Sequence, residues 1–238
     1  MLKLHVLLMN RILVILFFLF NLTWCYAQEP IAKEVDSLYK EDQFYAGITY
    51  NLIGKIPDKL SQSGFSLGFQ FGFIKDMPLN KARNLAIGIG LGYSANSFNQ
   101  NLLINKDTAG NFTYSILEDN STYTKNKFSS HLIELPIEFR WRTSTPTEYN
   151  FWRIYTGFKL GYVIANTSKY NGDLGTIKHS NIDDFNNLQY GITLSAGYNT
   201  WNLYLYYALN SIFSKEAQLN SNEIDLNAVK IGLIFYIL

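Results

Sequence analysis

Seven charged residues occupy positions from which they could do chemistry together. Glu134, Glu138, Arg140 and Arg142 all fall at even numbers in one alternating stretch, Arg153 and Lys159 share the odd-numbered face of the next, and Lys230 lies on the polar face of the last. Side chains alternate across an extended strand, so each set shares a face and leaves the other to its apolar neighbours. Two carboxylates on one face are the raw material of acid–base catalysis. With cations on the adjoining strand they are also the raw material of an ion-pair network. Glu134 and Glu138 are placed to pair with Arg153 and Lys159 across neighbouring strands, and the spacing favours that network over catalysis.

Other reactive groups are sparse. His131 follows Ser129 and Ser130 and shares the parity of the apolar residues, which would set it outside, near a rim, as in a membrane-facing hydrolase. His179 stands alone in a polar stretch, and Asp173, Asp183 and Asp184 read as solvated surface rather than as a calcium site. No cluster has zinc-ligand spacing, and no glycine-rich loop opens a helix as phosphate binding requires. The expectation is a protein that is not an enzyme and takes no cofactor or metal.

The elements that must hold these residues are strands. Residues 65–73 read Phe-Ser-Leu-Gly-Phe-Gln-Phe-Gly-Phe, a large apolar stripe on one face against a small polar one. The same alternation recurs at 44–52, 85–94, 133–142, 152–162, 188–198, 201–210 and 229–237, which makes eight segments. Each is about the 9–11 residues that a tilted membrane strand needs. A misplaced Arg or Lys at the lipid midplane costs roughly 2–4 kcal/mol. The shared parity of the seven charges therefore assigns them to a lumen and the apolar stripe to lipid. Eight strands leave an interior just wide enough for side chains to fill, so a plug of ion pairs outweighs a conduction path.

Connector lengths agree. The links after the second, fourth and sixth segments are short (75–82, 143–150 and the turn at 199–200), and the others are mostly longer and polar, the longest at 96–127. Outer-membrane barrels show this alternation, with short periplasmic turns and long outer loops. Within 99–118 two alternating stretches flank 107–111, which predicts a hairpin standing above the membrane. Tyr50, Tyr93, Trp141, Trp152, Tyr198 and Trp201 near segment ends read as interfacial girdles. The aromatic last segment suits recognition by the outer-membrane assembly machinery.

The amino-terminal residues read as a secretory signal. Arg11 precedes the apolar run 12–20, and Cys25-Tyr26-Ala27 offers a cleavage site before Gln28. That run is too short to span a bilayer, and Met9 begins a more typical signal than Met1. A lipid anchor on Cys25 is disfavoured by the bulky Trp24 before it. Cleavage after Ala27 would remove the single cysteine; without Lys3 and Arg11, 18 of the 20 basic residues would face 19 acidic ones. So balanced a charge, with no basic tail, argues against nucleic acid as a partner. Residues 28–41 are polar, with Ile31, Val35 and Leu38 at helical spacing, and read as a periplasmic segment, either a short amphipathic helix or ordered arm or a mobile terminus, ahead of a barrel at 42–238.

The run Asp36-Ser37-Leu38-Tyr39 leading into residues 42–48, Asp-Gln-Phe-Tyr-Ala-Gly-Ile, together with 131–141, His-Leu-Ile-Glu-Leu-Pro-Ile-Glu-Phe-Arg-Trp, resembles the PorT-like outer-membrane β-barrels of Bacteroidota. The terminal Lys230-Ile231-Gly232-Leu233 is similar too. The likeness covers nearly all of the chain after the signal. It implies an all-β, eight-stranded antiparallel transmembrane barrel of the cell outer membrane with a structural or accessory role in type IX secretion, and in gliding motility where that exists. Its partners would be outer-membrane lipid and other type IX components. A small channel or solute-binding barrel is the alternative, and a lipid-modifying barrel enzyme using His131 comes last.

Overall fold

The computed structural model describes residues 42–118, 121–143 and 151–237. The expected signal at 1–27 and the polar segment at 28–41 lie outside the described residues, as does most of the 143–150 link. Among the described residues thirteen strands follow one another: β1 (Gln43–Gly54), β2 (Leu67–Pro78), β3 (Leu85–Asn99), β4 (Leu102–Lys106), β5 (Phe112–Ile116), β6 (Tyr123–Arg142), β7 (Trp152–Gly172), β8 (Gly175–Ser180), β9 (Leu188–Tyr198), β10 (Trp201–Ala208), β11 (Gln218–Leu219), β12 (Asn222–Glu223) and β13 (Asn227–Ile237).

Nine of them form one sheet in the order β6-β3-β2-β1-β13-β10-β9-β7-β8, and β6 also pairs with β7. That pairing closes the sheet into an antiparallel barrel of eight strands, with β8 folded back on the far end of β7. The eight predicted segments are the eight barrel strands. Closure leaves no free edge, which is what permits a sheet to cross lipid with every backbone group paired.

The wall is sorted as the alternation predicts. Phe69, Phe71, Leu91, Leu203 and Ile231 are exposed on the outside, while Tyr45, Gln70, Ser94, Tyr204 and Lys230 are buried inside. Bulky inward groups require small residues on the facing strand. A Cβ at Gly92 would overlap the Tyr45 hydroxyl, and one at Gly88 would meet Arg140 Nε at 2.7 Å.

Two features exceed the sequence reading. β2 continues to Pro78, so Asp76, assigned above to a turn, is a lumen residue with no exposure. β6 and β7 are 20 and 21 residues long, twice the predicted length. At about 3.3 Å per residue and a tilt near 40°, half of each projects beyond an apolar band about 25 Å tall. The longest connector shortens accordingly, to residues 100–122, and carries the β4–β5 hairpin whose turn is residues 107–111, as predicted. Near the level where β6 and β7 leave the membrane, the register shifts: His131 pairs with Ala165 and Leu132 with Val163, which leaves Ile164 as a bulge.

Leu205 pairs with Leu194 and Ile231, midway between Trp201 and Leu209 on the lipid face. Leu205→Arg is expected to destabilise the barrel by about 2–4 kcal/mol, and Leu209→Arg at the rim by about 1 kcal/mol or less. Denaturant unfolding in lipid vesicles measures both.

Candidate functional site

The sequence-predicted charges meet in one column inside the barrel. Glu134, Glu138, Arg140, Arg142, Arg153, Lys159 and Lys230 are all buried. Their partners follow from the β6–β7 register. Glu134 faces Gly161 and Glu138 faces Gly157, so Lys159 lies diagonal to Glu134 and reaches it, with Nζ 3.0 Å from Oε2. The Ser94 hydroxyl donates to the other oxygen of Glu134 at 2.7 Å, and Lys159 donates to Gln70 Oε1 at 2.7 Å.

Glu138 does not pair across the strands as expected. It takes Arg140 from its own strand, at 3.1 Å. Arg142 and Arg153 are direct register partners, an arrangement that sets like charges side by side. Asp76 relieves it. Its carboxylate accepts two bonds from Arg142, at 2.8 Å each, and one from Arg140 at 3.1 Å. The Arg142 Nε also donates to the Arg83 carbonyl at 2.9 Å. Arg153 turns instead to aromatic faces, 4.5 Å from the Phe151 ring centre and 5.6 Å from that of Tyr236.

Tyrosines complete the balance. Arg140 lies 4.6 Å over Tyr155, Lys159 5.2 Å over Tyr204 and Lys230 4.8 Å over Tyr206. A ring face attracts a cation most where water is excluded. The lumen thus holds more cations than carboxylates and offsets the difference with π-faces. Tyr155, Tyr204, Tyr206 and Tyr236 were not singled out from the sequence; their place opposite the apolar residues of their own segments was the available signal.

Above this column the outer mouth is sealed. Phe128 of β6 meets Phe98, Phe185 and Phe213 at centroid distances of 5.1, 5.7 and 5.4 Å, and Phe185 and Phe213 lie 4.6 Å apart. Leu102, Ile104, Ile182, Ile212, Ile224 and Leu226 join the same core. The loops reach it because asparagine side chains pair with their backbones, as a buried loop requires. Asn186 donates to the carbonyls of Ser211 and Phe213 at 2.9 and 2.7 Å, and Asn166 brackets Ile182 at 3.1 and 2.7 Å. Tyr114, on the predicted hairpin, packs on Phe213 and donates to Asp184 at 2.8 Å. Burial and then that carboxylate raise the Tyr114 pKa.

The remaining candidates do not assemble. His131 Nδ1 lies 2.6 Å from the Tyr93 hydroxyl on the lipid-facing rim. Ser130 points into the barrel, and among the described residues no hydrogen bond joins His131 to a serine or a carboxylate. His179 packs edge-on against Phe112, and partial burial followed by Lys106 lowers its pKa. Asp173 accepts from the Tyr170 hydroxyl, a bond that lowers its pKa, while Asp184 serves Tyr114. Among the described residues no group of acidic, histidine or cysteine side chains could hold a metal.

A family model described as "Outer membrane protein beta-barrel domain" matches residues 26–214. Among solved structures, Ail, the attachment invasion locus protein of Yersinia pestis, is similar in complex with the heparin analogue sucrose octasulfate, at 11% identity over 84% of this chain and 100% of that one, with a TM-score of 0.36. A second structure of Ail gives 11% identity, the same coverage and a TM-score of 0.33. No curated protein matches.

Removing one partner of a buried ion pair costs about 3–5 kcal/mol, because the other charge is stranded. Asp76→Asn is expected to lose that much in denaturant unfolding. The double change Glu134→Gln with Lys159→Met is expected to cost less than Glu134→Gln alone, since it leaves no stranded partner at Lys159.

Proposed function

The chain belongs to the outer-membrane protein β-barrel family, and on that premise we propose that it is a non-conducting structural barrel serving as an accessory component of type IX protein secretion. Its place is the outer membrane. The observation that carries the non-conducting role is the filled interior. Ion pairs and tyrosines occupy the lumen from Arg142 to Lys230, and the phenylalanine cluster closes the mouth above them. A general diffusion pore needs a continuous aqueous path, which these two layers interrupt. A barrel so filled is a rigid post that holds loops at the outer surface and turns at the inner one.

The narrower assignment to secretion is supported by the resemblance of residues 36–48 and 131–141 to PorT-like barrels. Its partners on this reading are outer-membrane lipid, other type IX components and the assembly machinery, and it catalyses no reaction. A solute-binding barrel is favoured by a different observation. Outside the seal, a hollow of about 900 Å³ opens between residues 57–59, 115–118 and 219–224, with Asp58, Lys59, Glu118 and Glu223 on its wall.

Planar-bilayer recordings of the purified protein are expected to show no steady conductance, and steady ohmic steps would overturn the closed-barrel reading. Deleting the gene in a type IX-competent host is expected to leave cargo inside the cell; undiminished export would refute the secretion role while leaving the barrel reading intact.

A further inference from the structure

The strand register brings three lysines side by side on the outer wall. Lys127 of β6 pairs with Lys169 of β7, and Lys169 pairs with Lys178 of β8. Adjacent strands lie about 4.8 Å apart, so the three ammonium groups share one short row. The row beneath is Ser97, Ser129, Thr167 and Ser180, and beneath that His131 stands with Tyr93 at the rim of the lipid-facing belt. Lys125 lies one step above Lys127 on the same face.

No described acidic side chain pairs with the row. Among the described residues, no ion pair or hydrogen bond involves the side chain of Lys125, Lys127, Lys169 or Lys178. The nearest acid along these strands, Asp173 at the β7–β8 turn, is committed to the Tyr170 hydroxyl and the Leu174 amide. Like charges set directly opposite one another destabilise a sheet, so the free protein carries an uncompensated cost here. A ligand with closely spaced negative charges would remove it.

Position identifies the ligand's source. Four residues separate Lys127 from His131, about 13 Å along the strand and roughly 10 Å in height after tilt. The flexible four-carbon stem of lysine lets an ammonium extend several ångströms from its Cα, and the headgroup layer itself stands about 5–8 Å beyond the hydrocarbon. The ammonium groups therefore reach the level of lipid headgroups in the outer leaflet, where an outer membrane presents phosphorylated glycolipid. The geometry points to a binding site for the phosphate groups of that glycolipid, made by Lys127, Lys169 and Lys178 with the hydroxyl row below as additional donors. Lysine serves phosphate as a mobile point charge, which suits a headgroup whose orientation varies.

The test uses the folded barrel in neutral detergent micelles with diphosphoryl lipid A as the probe, and its fully dephosphorylated form as control. Each lysine near an anionic surface is worth about fivefold in affinity, so the triple variant K127Q/K169Q/K178Q is expected to bind the diphosphoryl form on the order of 100-fold more weakly. Wild-type binding is expected to weaken steeply with added salt, a measurement that needs no variant. The lipid-free triple variant is expected to melt no lower than the wild type, and the wild type alone is expected to gain stability from diphosphoryl lipid A. Equal binding by wild type and variant, or equal binding of the dephosphorylated form, would overturn the site. Preference for a soluble sulfated polysaccharide over diphosphoryl lipid A would overturn its assignment to a lipid.

Discussion

A closed sheet of eight strands fixes the bore, and the bore must be filled without bulk water. That constraint governs the choice of nearly every inward residue. Tyr45 fits because Gly92 has no Cβ, and Arg140 fits because Gly88 has none. Each charge admitted to the bore must find a partner inside it. Asp76 joins Arg140 to Arg142, Glu134 holds Lys159, and tyrosine rings receive Arg153 and Lys230, the cations that carboxylates leave over. Buried ion pairs contribute little net stability against an apolar filling. Their consequence here is register: a slip of β6 by one residue would turn Glu134, Glu138, Arg140 and Arg142 into the hydrocarbon together.

The outer mouth meets the same constraint by other means. Above the membrane the surroundings are aqueous, so the loops can bury apolar groups inward and present polar ones outward. Phe98, Phe128, Phe185 and Phe213 do so, and they make the cap a small hydrophobic core of its own. Asparagines at 101, 126, 166 and 186 replace missing strand partners, each bonding to loop backbone through its carboxamide, and Asn227 donates to the Ala208 carbonyl at the end of β10. The loops become extensions of the barrel, and the rigidity of the wall carries through to the outer surface.

How far the sequence disclosed this depends on which solvent faces the wall. Within lipid the alternation has a strong contrast, so all eight strands, their faces and the seven lumen charges were legible from residue types alone. Above lipid the alternation persists with its polarity reversed: Lys127 outside and Phe128 inside, Lys169 outside and Tyr170 inside. A search for apolar stripes at constant phase ends there, and so the outer halves of β6 and β7 escaped it. Asp76 escaped for a local reason, since Lys75, Asp76 and Pro78 together read as a turn. Lys75 in fact faces outward near Asp42, 3.9 Å away, while Asp76 faces the arginines. The pairing of Glu138 with Arg140 rather than across the strands needed the register, which no single sequence stretch encodes.

The bulge at Ile164 ties the two ends of this account together. By taking one extra residue on β7 opposite His131 and Leu132, it inverts the parity of everything beyond. Without it, Asn166, Ser168 and Tyr170 would face outward and Lys169 inward. With it, Asn166 reaches Ile182 and Tyr170 packs beneath the hairpin, which builds the cap, while Lys169 emerges between Lys127 and Lys178. Sealing the mouth and assembling the lysine row are thus one structural event. Bulges persist where they re-aim side chains. This one lies where the wall leaves hydrocarbon, at the height where the interior changes from ionic to aromatic and the exterior from apolar to cationic.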